Sequence, residues 1–141
     1  MKKLTFKFFL IYILPVIVWG GVIFSFSAFP TTPTSEFYWK DFIVKKTAHL
    51  VEYGIFSILL YRLFLNSKMP KLKAFTLAVA LSFLYGMSDE YHQSFTPGRG
   101  PAIRDVGFDT IGAILGGYFV WKLLPKTPKT LRDWGKKLAL V

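Results

Sequence analysis

From Phe8 to Phe29 the chain carries no Asp, Glu, Lys, Arg or His. A membrane-spanning helix needs about 20 largely apolar residues, so this run alone is long enough to cross a bilayer. The competing assignment is a cleaved signal: Lys2, Lys3 and Lys7 precede the run, and Ser25-Phe26-Ser27-Ala28 loosely resembles a small-residue cleavage site. The run exceeds the ~7 to 15 residues of a signal-peptide core, so a retained first span is the expectation. Pro15 and the Gly20, Gly21 pair are tolerated in a membrane helix because neighbours satisfy the loosened backbone. A kink near Pro15 follows.

The rest of the chain keeps this character. Of its 141 residues 52% are hydrophobic and 18% aromatic, with a mean hydropathy of +0.40, more than a small soluble domain requires. Further spans are expected at about 47–65, 72–87 and 106–124, after a first at about 8–29. The expected fold is an all-α membrane protein in which residues 1–124 form one four-helix domain, with a long outer loop between helices three and four. Residues 125–141 form a basic cytoplasmic tail. There Leu131, Trp134, Leu138 and Leu140 interleave with Lys and Arg after Pro125 and Pro128, the pattern of an interfacial helix drawn to anionic lipid. A frayed basic tail fits the same composition.

Charge distribution orients the helices. The net charge is +10, but the basic residues flank apolar runs and form no aromatic-interleaved patch, which argues against nucleic acid as a partner. Read as a topology signal, the N-terminus, the second connector and the tail carry Lys2, Lys3, Lys7, Arg62, Lys68, Lys71, Lys73, Lys122, Lys126, Lys129, Arg132, Lys136 and Lys137, thirteen of the eighteen basic residues. The opposite side holds seven of the eight acidic residues. Both termini are therefore expected in the cytoplasm. With no cysteine, disulfides, thiolate metal sites and cysteine nucleophiles are excluded.

Ionisable residues in membrane helices cost about 2.5 to 3.5 kcal/mol each at mid-helix and face a cavity or a partner. Three clusters stand out. Lys46, His49, Glu52 and Tyr53 open the second span, the last three on one helical face. Asp89, His92 and Gln93 share a face at the end of the third span, with Glu90 pointing elsewhere. Arg99, Arg104, Asp105 and Asp109 surround the start of the fourth, the two aspartates four residues apart. Antiparallel topology brings all three to one depth, on the outer side. A polar pocket open to the outer leaflet accounts for so many groups, although mutual ion pairs anchoring the outer loop remain a competing account. His49-x-x-Glu52 and Asp89-x-x-His92 also match helical metal-ligand spacing, but hydrogen-bonded acid–imidazole pairs share it, so no ligand set follows. Gly112-xxx-Gly116 and Ala113-xxx-Gly117 are small-residue spacings that let helices pack closely.

Two function classes fit. In an enzyme acting on a lipid-linked or envelope substrate, His49 or His92 is the general acid or base, oriented by Glu52, Asp89 or Asp105. Lys46, Tyr53, Glu90, Gln93, Arg99, Arg104 and Asp109 then bind substrate, the arginines clamping a phosphate or carboxylate. In a binder the same pocket holds an envelope lipid head group or a lipophilic glycopeptide without chemistry. A transporter is a weaker reading, because Arg62, Lys73 and Lys122 lie near inner helix ends, where they can snorkel. The sequence leaves the cofactor unknown.

Together the motifs Lys46-x-x-His49-x-x-Glu52-Tyr53-Gly54, Tyr85-Gly86, Ser88-Asp89-Glu90-x-His92-Gln93-x-Phe95-x-Pro97-Gly98-Arg99 and Asp105-Val106 with Asp109 and Gly112 resemble the VanZ-like family of bacterial membrane proteins. The resemblance covers about residues 25–117. Many relatives place an acid directly before the lysine of the first motif, where this chain has Lys45. The resemblance implies a link to low-level glycopeptide resistance, particularly to teicoplanin, with membrane lipids and a lipid-linked envelope precursor or lipoglycopeptide as partners. It supplies no reaction.

Overall fold

The computed structural model describes residues 5–29, 38–97 and 102–141. Those residues are almost entirely helical, and none forms a strand. Four long helices pack side by side: α1 (Phe6–Ala28), α2 (Tyr38–Asn66), α3 (Lys71–Gln93) and α4 (Ile103–Tyr118). A short fifth, α5 (Lys129–Lys137), closes the chain. Two segments, Phe6–Ala28 and Phe42–Asn66, are long and apolar enough to cross a bilayer; at 1.5 Å per residue the first is about 34 Å long.

Helices α2 and α3 overrun the apolar segments expected for them, α2 beginning at Tyr38 and α3 continuing to Gln93. Hydropathy marks the slab that suits lipid. Helical hydrogen bonding continues through polar residues until a cap or breaker intervenes.

The kink expected at Pro15 takes a specific form. Residues Phe9–Ile13 make a π-turn, and the Leu14 N–H reaches back five residues to the Phe9 carbonyl. The same device recurs at Phe119–Leu123, two residues before Pro125. A proline ring collides with the carbonyl four residues earlier and brings no N–H, and a π-turn widens the helix where that collision falls. Pro15 thereby leaves the Ile11 carbonyl without its helical donor. Arg62 Nη1 supplies one at 2.9 Å, and the guanidinium also stacks on the Tyr12 ring. Arg62, near the inner helix end by sequence, also ties α2 to α1.

Helices α2 and α4 approach backbone to backbone. A Cβ on Gly112 would lie 2.3 Å from the Leu50 carbonyl oxygen, and one on Gly116 2.4 Å from that of Gly54. The small-residue spacing thus serves packing, as expected. Farther along, Ile23, Tyr53, Phe56, Leu60, Tyr61, Ala74, Ala78, Val120 and Leu124 form the buried core.

Candidate functional site

The C-terminal ends of α1 and α3 meet the N-terminal ends of α2 and α4 at one end of the bundle. Two layers of polar contacts form there, about one helical turn, roughly 6 Å, apart.

In the outermost layer, Lys46 of α2 forms an ion pair with Asp105 of α4. Arg104 is largely exposed, lying 3.8 Å from Asp105 and over the Phe42 ring, so it rims the site. Glu90, buried at the end of α3, accepts the Ala102 N–H through Oε2 at 2.9 Å. Glu90 lies three residues past Met87, where the third span is expected to end. Burial pushes its carboxyl above the ordinary carboxylate range, and the Ala102 N–H works in the opposite direction.

The deeper layer is drier. Asp109 is fully buried and its Oδ1 lies 2.9 Å from His49 Nδ1. Asp89 is also buried, its Oδ2 accepting from Ser27 Oγ at 2.7 Å and from Gln93 Nε2 at 2.9 Å. Gln93 Nε2 lies a further 3.2 Å from Ser27 Oγ, closing a triangle across α1 and α3. Tyr53 is buried within electrostatic reach of both aspartates. Gly86 makes room here: a Cβ on it would lie 3.2 Å from Asp109 Oδ2 and 3.5 Å from the Tyr53 ring.

One expected grouping differs from the observed one. His92 shares a helix face with Asp89, yet its ring stacks on Phe24 of α1 at 4.2 Å between centroids. The carboxylate of Asp89 is occupied by Ser27 and Gln93 instead. Glu52 is half-buried; the Trp19 indole N–H donates to its carbonyl at 2.9 Å, and its charge acts on His49 and Tyr53 through space. Arg99 lies outside the described residues. Among those described, no three His, Cys, Asp or Glu side chains are grouped to hold a metal ion.

The buried carboxylates are incompletely used. Among the described residues Asp89 Oδ1, Glu90 Oε1 and Asp109 Oδ2 have no hydrogen-bond partner, nor does the Tyr53 hydroxyl. Buried polar atoms are nearly always paired, so such a concentration of orphans at one end of the bundle is unusual. Of these groups Glu90 lines a groove of about 780 Å³ between α3 and α4, whose walls are chiefly Phe83, Met87, Tyr91, Ile103, Val106 and Ile111.

A family model described as VanZ/LLP1 matches residues 8–125. The chain belongs to the VanZ/LLP1 family. With two helices of spanning length and apolarity, this VanZ/LLP1 protein is a membrane protein. Neither a curated protein nor a solved structure matches it significantly. The family match takes in every candidate residue and stops short of α5.

Sequence reasoning missed two members of this VanZ/LLP1 site. Ser27, like Ser25, is a hydroxyl near the end of an apolar run, and that polarity does not say which of the two meets Asp89. Gly86 was visible as part of a motif, but its role as a space for a carboxylate depends on how α3 meets α4. Tyr85, next to it, donates its hydroxyl to the Gly20 carbonyl at 2.6 Å and so fixes α1 against α3.

Proposed function

We propose that this VanZ-like protein crosses the membrane four times with both termini in the cytoplasm, and that its polar end, at the surface of the outer leaflet, takes an amphiphilic cell-envelope molecule. The ligand is a lipid-linked precursor or a lipophilic glycopeptide. The observation that carries this reading is Glu90, whose carboxylate lines an apolar groove with Oε1 unpartnered among the described residues, while Asp89 and Asp109 keep further unpartnered oxygens in the bundle interior. A ligand with an alkyl chain and a head bearing N–H or O–H donors satisfies both features. Burial of apolar area contributes about 25 cal/mol per Å², and a hydrogen bond to a charged group contributes about 1.5 to 3 kcal/mol.

The His49–Asp109 pair gives the site an acid–base capacity. With Nδ1–H held by the carboxylate, Nε2 is the nitrogen able to exchange a proton. This is the arrangement a general base needs, and it extends the binding reading to chemistry on the bound molecule. A link to teicoplanin resistance is part of this reading, supported by the resemblance to the VanZ-like family.

A second reading has its own support. Glu90 accepts from Ala102 at the base of the α3–α4 connection, and Lys46 pairs with Asp105; both contacts suit a cluster that only anchors the outer loop. Resistance in a teicoplanin-susceptible host separates the two. Under the binding account, Asp89→Asn and Arg99→Ala insert normally and lose protection. Variants that fail to accumulate in the membrane favour the anchor. Orientation has its own reporter: a domain active only outside the cytoplasm works when inserted at Thr34 and fails when fused after Val141, and the reverse pattern contradicts an outer site.

A further inference from the structure

Helix α5 presents a face that the bundle does not cover. Leu131, Trp134 and Leu138 recur at the three- and four-residue spacing that places them on one side of a helix, and they are 52%, 62% and 46% exposed. Lys129 and Lys136 lie on the other side, and Lys137 flanks the apolar face. Lys122, Lys126 and Arg132 bring the basic residues of this region to six, against Asp133 alone.

The helix is held in a fixed orientation. Gly135 abuts Leu124 and Val141 so closely that a Cβ there would lie 2.7 Å from the Leu124 side chain. Past the helix end Ala139 turns through a left-handed φ of 55°, with the Leu140 N–H on the Gly135 carbonyl and the Ala139 N–H on that of Lys136. The next free carbonyls are taken by α2: Arg62 Nε donates to Leu138 at 2.6 Å and Asn66 Nδ2 to Ala139 at 2.9 Å. Leu140 is buried. The apolar face of α5 therefore points outward by construction.

We propose that α5 is a binding site for anionic phospholipid. Leu131, Trp134 and Leu138 enter the headgroup boundary of the membrane that the long helices cross, while Lys129, Lys136 and Lys137 contact lipid phosphates. Charge complementarity argues for lipid over a protein cover: a basic amphipathic helix docked beside the end of a spanning segment meets a negatively charged leaflet. The site is independent of the outer-leaflet pocket, at the opposite end of α2.

The chain has no cysteine, so Leu131→Cys and Lys137→Cys each accept a single nitroxide label. The full-length protein is placed in nanodiscs of phosphatidylcholine, with or without phosphatidylglycerol. Oxygen, which collects in hydrocarbon, and a nickel chelate, which stays in water, then report label depth by electron paramagnetic resonance. The label at 131 is expected to meet oxygen and avoid nickel in anionic discs, and to sit shallower in neutral ones. The label at 137 reports water in both. Replacing Lys129, Lys136 and Lys137 by Gln is expected to abolish the difference between the two lipids. Three results overturn the proposal: position 131 open to nickel in both discs, equal immersion with and without phosphatidylglycerol, or shielding from both reagents, as under a protein cover.

Discussion

His49 Nδ1 and Asp109 Oδ1 lie 2.9 Å apart across the interface of α2 and α4, and the aspartate is fully buried. A lone buried carboxylate is far costlier than a paired one. The imidazole is thus a partner first, whatever proton it also moves.

His49→Ala removes that partner and leaves Asp109 with both oxygens unsatisfied. The expected loss is about 1 to 3 kcal/mol, read as a lower thermal midpoint in mild detergent. Adding Asp109→Asn, which takes away the charge, is expected to recover part of it. An unchanged midpoint for His49→Ala contradicts the pairing.

Close approach of α2 and α4 makes a graded prediction. Gly112→Ala drives a Cβ into the Leu50 backbone, with no flexible side chain to yield; overpacking of this kind costs about 1 to 3 kcal/mol or more. Gly107, on the same helix, has nothing within 4 Å of the position a Cβ would take. There Gly→Ala is expected to be neutral or to stabilise by up to about 1 kcal/mol. Thermal unfolding of the two variants side by side distinguishes packing from helix propensity.

Arg62 and Pro15 are linked through the Ile11 carbonyl. Arg62→Ala is expected to destabilise by about 1.5 to 3 kcal/mol, the range for a charge-assisted hydrogen bond. Pro15→Ala restores an N–H to that carbonyl, so it is expected to rescue part of the loss in the Arg62→Ala background and little in wild type. Strict additivity in the double-mutant cycle contradicts the coupling.

The contrast between these residues shows what the sequence could and could not reveal. Pro15 announces a distorted helix, and Arg62 announces a charge in need of a solution, but their connection through one carbonyl depends on how α1 lies against α2. The gathering of Lys46, His49, Asp105 and Asp109 at one end of the bundle was legible, because alternating helices must bring their ends together. The partners within it were less so. Asp89 and His92 share a face by spacing, yet the aspartate bonds Ser27 and Gln93 while the imidazole stacks on Phe24. Helix periodicity gives the side of one helix, and the neighbouring helix decides which residue is met.

Glu90 links protonation to stability. Burial raises its carboxyl above the unfolded value, so folding favours the protonated form, and wild-type stability falls as pH rises from the unfolded range, near about 4.3, through the folded one. Glu90→Gln mimics the neutral acid and its side-chain carbonyl still accepts from Ala102. The variant is expected to be more stable than wild type at neutral and alkaline pH, the two converging in acid. A gap that widens as pH falls contradicts the assignment.

Native mass spectrometry of the protein released from mild detergent, comparing wild type with Asp89→Asn and Glu90→Gln, tests the central claim most directly. The account predicts a co-purified amphiphile on wild type that both variants lose while remaining folded. Wild type carrying no such molecule, or both variants retaining it in full, contradicts a ligand site at the buried carboxylates and leaves them as an anchor for the outer loop.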